Sequence, residues 1–203
     1  MSTVAVEPLT GDAVAPVLPD LAKLRIEVFR AFPYLYDGDE AYERRYLEKF
    51  AAHPQSVVVV ARDGDEIVGA ATATPLKAEH EDFKAPFAGA GYDVDGVFYF
   101  AESVLRQGYR GRGVGVRFFE ERERHARAMR GLRGPYEWAA FCGVVRPADH
   151  PARPEGYVPL DAFWRKRGFA KAEGLTAGFP WKDIGEGEES VKTMQFWIKR
   201  LGR

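Results

Sequence analysis

The apolar run Val97-Phe-Tyr-Phe-Ala-Glu-Ser-Val-Leu105 is followed closely by Arg110-Gly-Arg-Gly-Val-Gly115 and then by a long segment mixing charged and apolar residues. That succession predicts a strand, a glycine-rich turn and a helix whose first turn is nearly bare of side chains. Gly111, Gly113 and Gly115 let the backbone take positive φ and let a ligand approach the main chain. The start of the helix offers unpaired N–H groups and a partial positive charge. Together these make an anion cradle suited to a pyrophosphate, and Arg110 and Arg112 add permanent charge to the same turn.

At 203 residues with 46% hydrophobic and 29% charged content, the composition is that of one soluble globular domain over 1–203. A net charge of −1 argues against nucleic-acid or membrane attraction, so neither is expected as a partner. Cys142 is the only cysteine, which removes disulfides and cysteine zinc clusters; it reads as a small buried hydrophobe rather than a nucleophile. His53, His80, His125 and His150 have no metal spacing, so no metal is expected. Neither a signal-peptide pattern nor a membrane-length apolar run is present, and the expected location is the cytoplasm.

Residues 3–8 predict an edge strand. Leu18, Leu21, Leu24, Val28 and Phe32 fall at helical spacing, and Phe32-Pro-Tyr-Leu-Tyr36 breaks that helix. Asp39 caps a second helix running to about Ala52, with Tyr42, Tyr46 and Phe50 on one side. The valine run from Ser56 to Ala61, a turn at Asp63-Gly64-Asp65 and the segment Glu66 to Thr74 predict a hairpin. Residues 76–96 are expected as a long connection carrying Glu79, His80, Glu81 and Asp82. After the strand at 97–104 comes a helix from about Gly113 to Met129, whose apolar side of Val116, Phe119, Ala126 and Met129 is interrupted by Arg122. Its Glu120–Arg124 and Glu123–Arg127 pairs are expected on the solvent side. Trp138 to Val145 is a strand, Arg146 to Pro159 a proline-rich segment, and Asp161 to Arg167 a short helix ended by Gly168. Two last strands, 169–179 and 191–198, flank the acidic loop Glu186 to Glu189. The order implies an α/β chain with a mixed sheet and helices on both faces.

Three ligands compete for the glycine turn. A nucleotide P-loop needs lysine and then serine or threonine after the glycines, whereas Val116-Arg117 stands here. A dinucleotide site wants an acid at the end of the next strand; Arg146 stands there instead, suited only to a 2′-phosphate, and the preceding helices and hairpin do not suit a repeating strand-helix unit. The third is coenzyme A. Arg110-x-x-Gly113-x-Gly115 after a strand resembles the acetyl-CoA motif of the GNAT N-acetyltransferase superfamily, and Phe163-Trp-Arg-Lys-Arg-Gly-Phe169 resembles that family's recurring Phe-Tyr-x-x-x-Gly-Phe. The element order resembles it over roughly residues 3–200.

The resemblance implies a mostly antiparallel sheet of about six or seven strands with a splayed central pair. It implies acetyl-CoA as co-substrate, with the backbone of Ser103, Val104 and Leu105 holding the pantetheine arm and Arg110, Gly111, Arg112, Gly113, Val114 and Gly115 holding the pyrophosphate. A backbone N–H near Val104 would face the thioester oxygen. The reaction implied is direct attack by the amine of a small molecule in a ternary complex. Glu102, in an otherwise apolar strand, is the candidate base; alternation puts it on the face of Phe100, and the bland alternative pairs it with Arg106 or Arg146. The family's acidic tyrosine falls at Trp164, which either contacts coenzyme A or packs in the core. Tyr157 or Ser103 then substitutes as acid, or the thiolate leaves unaided. The acceptor pocket is expected from Phe32 to Tyr36, from Glu79 to Asp82 and from the proline-rich segment, with Tyr34 and Tyr36 either lining it or closing the helix pair. The proline-rich segment either covers the acceptor side or makes a homodimer contact. A non-catalytic acyl-CoA sensor is the rival from another class, and an NADP-linked oxidoreductase the third reading.

Overall fold

A computed structural model describes residues 4–202; Thr3, inside the expected first strand, lies outside the described residues. Nine strands and five α-helices follow in chain order: β1 (Ala5–Leu9), α1 (Leu18–Phe29), α2 (Glu40–Ala52), β2 (Val57–Asp63), β3 (Glu66–Pro75), α3 (Glu81–Gly89), β4 (Val97–Leu105), α4 (Val114–Ala128), β5 (Arg130–Gly131), β6 (Gly134–Pro135), β7 (Trp138–Val144), α5 (Asp161–Lys166), β8 (Ala170–Trp181) and β9 (Ser190–Arg200). Seven strands form one sheet in the order β1-β2-β3-β4-β7-β9-β8, and β5 and β6 make a small hairpin apart. All neighbours are antiparallel except β4 and β7.

Strand alternation sorts the core into two layers. Val57, Val59, Ala61, Phe98 and Phe100 face α4, whose Val114, Phe118, Phe119 and Ala126 cover them. Val58, Val60 and Ala70 face α1 and α2, where Leu21, Leu24, Leu47 and Phe50 close the other side. The continuous valine run is therefore a strand buried on both faces. Further along that second face, Phe83 and Phe87 of α3 pack with Tyr99, Cys142 and Phe196.

The stretch 76–96 is not the structureless connection expected. It holds α3, whose helical period is short and carries Pro86 inside it, which hid it from periodicity. Glu79 is buried and bonded through both carboxylate oxygens to Lys49 Nζ at 2.8 and 2.7 Å, whereas His80 is exposed and caps α3. On α4, Arg124 pairs with Glu121 rather than Glu120. Glu123 turns inward, bridging Arg127 at 3.0 Å and Lys199 of β9 at 2.7 Å. A carboxylate on the inner stripe of a helix is tolerated here because the next layer supplies its cation.

His125 lies half-buried on the same helix against Phe98, its Nε2 at 2.8 Å from the Gln55 carbonyl. With a carbonyl as partner, Nε2 carries the proton of a neutral ring. Burial, and secondarily Arg124, hold His125 below its ordinary 6.5 despite that bond. As pH falls through 6.5 the unfolded chain gains a proton that the folded chain refuses, so this contribution to stability is present above that pH and lost below it. We expect the melting temperature to fall between neutral and mildly acidic pH, and His125→Gln to flatten that slope; an unchanged slope in the variant would remove His125 as its source.

Candidate active site

Pairing between β4 and β7 is confined to Val97 with Trp138, Phe98 with Ala139 and Tyr99 with Ala140. Beyond Tyr99 the two strands part, each still paired on its outer side, β4 with β3 to Leu105 and β7 with β9 to Val144. The gap has backbone groups on both edges, the geometry that an extended ligand completes as an added strand. On the α1–α2 face, the Tyr99 hydroxyl and Cys142 Sγ meet across the strand pair at 3.0 Å. Burial pushes the Cys142 thiol up to about 12, so it is a neutral wall group, as expected for a small buried hydrophobe.

The divergence coincides with a bulge. Ala71 faces Ser103 while Ala73 faces Phe100, so Ala101 and Glu102 together oppose Thr72. The extra residue reverses the alternation: Phe98 and Phe100 face α4, but Val104 faces α1 and α2. Glu102 is carried with it. Simple alternation placed its side chain beside Phe100; it stands instead on the opposite face, bonded to Arg25 Nη1 at 2.7 Å and to the Tyr46 hydroxyl at 3.3 Å. Neither Arg106 nor Arg146 is its partner. Arg106 binds Glu27 and Glu66 at the surface, and Arg146 binds Asp183 at 2.7 Å.

Arg25 sits between the rings of Phe29 and Tyr46 and also binds Glu43 through Nε. Burial opposes its charge, but Glu102 and then Glu43 more than offset that and hold it protonated. Arg25 and Glu43 both occupy apolar-stripe positions: Arg25 follows Leu18 and Leu21 by seven and four residues, and Glu43 precedes Leu47 and Phe50 by four and seven. A charge on such a stripe is the signal that would have found them. Among the described residues, the buried side-chain polar atoms without a hydrogen-bond partner are Glu43 Oε1, Glu102 Oε1 and Thr72 Oγ1. All three surround the bulge.

Arg25, Glu43 and Glu102 line a cavity of about 350 Å³, in the size range of small-molecule sites. Tyr34 and Tyr36 both line it, with Tyr42, Tyr46, Tyr99 and Trp181 among the other aromatic walls. The loop after α1 is fastened to the β8–β9 hairpin by Arg146, which donates to the carbonyls of Pro33 and Tyr34 at 2.7 and 2.8 Å while paired to Asp183. Main-chain bonds from Asp37 to Lys182 and from Ile184 to Leu35 complete the seam. Arg146 is thus fully engaged and not available to a 2′-phosphate. From the expected connection 79–82 no residue lines the cavity; Phe83 of α3 does. Tyr157 lies outside the lining, its ring edge-on to Phe32 at 4.7 Å.

On the α4 side, Gly111 and Gly113 take φ of +76° and +79°, and Gly113 is the left-handed residue from which α4 starts at Val114. Arg110 and Arg112 are exposed; the Val116 and Arg117 N–H groups donate to the Gly113 carbonyl at 3.1 and 3.2 Å, while those of Val114 and Gly115 precede any intrahelical acceptor. Gly115 packs under Phe163, where an added Cβ would meet the ring at 3.4 Å. Trp164 rests edge-on against Phe141 and Trp197 at 5.0 and 5.1 Å and over Gly143, which accounts for it as packing.

Arg122 of α4 is 1% exposed and, among the described residues, has no carboxylate within ion-pair distance. It donates to the carbonyls of Thr72 and Glu102 at 3.4 and 3.2 Å and to Ser103 Oγ at 2.9 Å, with its guanidinium over Phe100 and Phe119. Burial pushes it down to about 9, so its charge is held at a cost. These bonds span the bulge on both strands and fix the peptide that aims Glu102 at the cavity. We expect Arg122→Met to lower kcat by roughly tenfold or more, in line with the losses that small displacements within a site bring. Affinity for the nucleotide ligand should stay close to wild type, and Arg122→Lys should recover part of the rate. Wild-type kcat in a folded Arg122→Met protein would show that the bulge holds itself.

The matches to known proteins agree with this geometry. The model of the Acetyltransferase (GNAT) family matches residues 21–169. No curated protein sequence matches significantly. Among solved structures, the ribosomal-protein-alanine N-acetyltransferase of Brucella melitensis superposes with a TM-score of 0.61 at 17% identity, covering 97% of this chain and 99% of that one. Arabidopsis thaliana NAA60, in complex with acetyl-CoA, gives 0.62 at 14% identity, covering 98% and 99%. An N-acetyltransferase of Staphylococcus aureus Mu50 gives 0.58 at 11%, covering 98% and 99%. At such identities the structures share the fold, and the family match spans most of the chain, including the hairpin, the splayed strand, the glycine turn and α4: the protein belongs to the GNAT acetyltransferase family.

Proposed function

We propose that the protein moves an acetyl group from acetyl-CoA to the amine of a small molecule by direct attack in a ternary complex. The observation that carries this is the meeting of the β4–β7 gap with the aromatic, acidic cavity at Glu102. The residues fit coenzyme A from end to end. The edges of the gap at Ser103, Val104 and Leu105 suit the pantetheine arm, and the turn from Arg110 to Gly115 suits the pyrophosphate. Acetyl-CoA supplies an activated acetyl thioester when bound.

An alkylammonium with a pKa near 10.4 is almost wholly protonated at neutral pH, so its nitrogen must first lose a proton. Glu102 takes it: its Oε1 is unpartnered while Oε2 is held by Arg25 and Tyr46. Glu43, on the far side of Arg25, shares that field. The Ser103 hydroxyl accepts from Arg122, which leaves its own hydrogen free for the departing sulfur, and the buried guanidinium stabilises negative charge there. A thiolate so placed needs no tyrosine, which fits Trp164 as packing. Tyr157, the other candidate for that part, packs on Phe32.

The rival, a sensor that binds acyl-CoA without chemistry, predicts ligand stabilisation and no thiol release. A true ligand at a hundredfold its Kd stabilises by roughly 2.7 kcal/mol, so a thermal shift with acetyl-CoA and none with NADPH is expected, followed by amine-dependent thiol release. Binding with no release to a broad amine panel would overturn the enzymatic reading. Gly113→Asp places a side chain and a negative charge at a left-handed position in the cradle, and should abolish the acetyl-CoA shift in a folded protein. Glu102→Gln should depress turnover most at low pH, where little free amine exists, with CoA affinity nearly intact. A loss uniform in pH would move the base elsewhere.

A further inference from the structure

The charge in the acceptor cavity is more than one amine requires. Five carboxylates line it, Asp37, Asp39, Glu43, Glu102 and Glu189, against two cations, Arg25 and Lys182. Asp37 is satisfied by Lys182 at 2.9 Å and Arg30 at 3.7 Å. At the floor, Arg25 balances only one of Glu43 and Glu102, both of them more than nine-tenths buried and each with one unpartnered oxygen. A buried, uncompensated negative charge is costly, and a cation entering from the cavity relieves it. That accounts for one ammonium.

A second set of acids stands at the mouth. Asp39 and Glu189 are exposed, and among the described residues neither has an ion-pair partner; Asp39 uses one oxygen to cap α2. Between floor and mouth runs a wall of tyrosine. Tyr46 stacks on Tyr42 at 6.5 Å with planes 15° apart, and Tyr42 is 40% exposed. Tyr42 lines the cavity together with Glu43 of the floor and with Asp39 and Glu189 of the mouth. Aromatic faces between two acidic ends bind a flexible chain with a cation at each end.

We infer that the acceptor is a linear diamine, or a longer polyamine, bound with one nitrogen at the floor and the other at the mouth. This deepens the reading of the cavity as the acceptor site and rests on it. The inner ammonium gives one proton to Glu102, its nitrogen forms the amide C–N bond, and the thioester C–S bond breaks. The sulfur leaves as thiolate and takes up one proton, so each turnover converts an ammonium and a thioester to an amide and a thiol with net release of one proton. The outer ammonium keeps its charge, held by Glu189 and Asp39 against the Tyr42 ring.

The test compares thiol release by the full chain at saturating acetyl-CoA with α,ω-diamines and with n-alkylamines of matching length. The expected result is a kcat/KM at least roughly tenfold higher for the diamine, the size of one added cation contact. Glu189→Lys, on an exposed hairpin where folding is not at risk, should bring the ratio toward one. Equal rates for diamine and monoamine in the wild-type protein would overturn the inference, and this comparison needs no variant. A ratio that survives Glu189→Lys would overturn the mouth as the second site. Transfer to a peptide N-terminus and to neither amine would overturn the substrate class while leaving acetyl transfer standing. No release with any amine, with acetyl-CoA bound, would remove the acceptor-site reading itself.

Discussion

One extra residue in a strand organises this site. The bulge at Ala101 and Glu102 breaks the alternation of β4 where its pairing with β7 has just ended. Without it, Glu102 would lie on the α4 face with Phe100, away from Arg25 and the cavity. With it, Glu102 reaches Arg25 and the cavity, on the stretch of β4 that has parted from β7. A bulge raises local twist and frees a peptide, which is how one local change both opens the gap and aims a side chain at its end.

The bulge is supported by charges placed where a helix ordinarily has leucine. Arg25 on α1, Glu43 on α2 and Arg122 on α4 each occupy a core-facing stripe, and all converge on the same few residues of β4 from the two faces of the sheet. Below the sheet Arg122 holds the carbonyl of Glu102; above it Arg25 holds the carboxylate. Backbone and side chain of one residue are thereby fixed independently. The unsatisfied oxygens that remain are gathered at this point rather than scattered, as expected where a fold gives up stability for a binding site.

The cavity walls depend on a second clamp. Arg146 ties the loop after α1 to the β8–β9 hairpin through Pro33, Tyr34 and Asp183, and so brings together segments far apart in the chain. Lys192 reinforces Asp183 and Glu186 from β9. Aromatic rings contributed by the loop, α2 and the hairpin can then face one another at fixed positions, which gives the cavity a shape as well as a charge.

Much of this was legible in the residues. The apolar run, the glycine turn and the following helix were readable because backbone freedom at Gly111 and Gly113 and the start of a helix are local properties, and the motif they carry resembled that of the family. Asp39 as a cap and the valine run as a doubly buried strand are local in the same sense. Tyr34 and Tyr36 were named from their loop, and they line the cavity. What stayed hidden was whatever depends on register or on a partner distant in sequence. Neither the bulge nor the face taken by Glu102 is encoded in alternation, since a one-residue offset against Thr72 exists only once β3 and β4 are paired. The partners of Glu102, Arg146 and Glu123 were likewise undecidable among many arginines and lysines. The sequence by itself determined most of the strands and helices and the glycine turn, through short-range backbone chemistry, and pointed to the family through motif resemblance; only the tertiary structure decided α3, the bulge and which charges meet, because those are set by how sheet and helices bring separate stripes to one point.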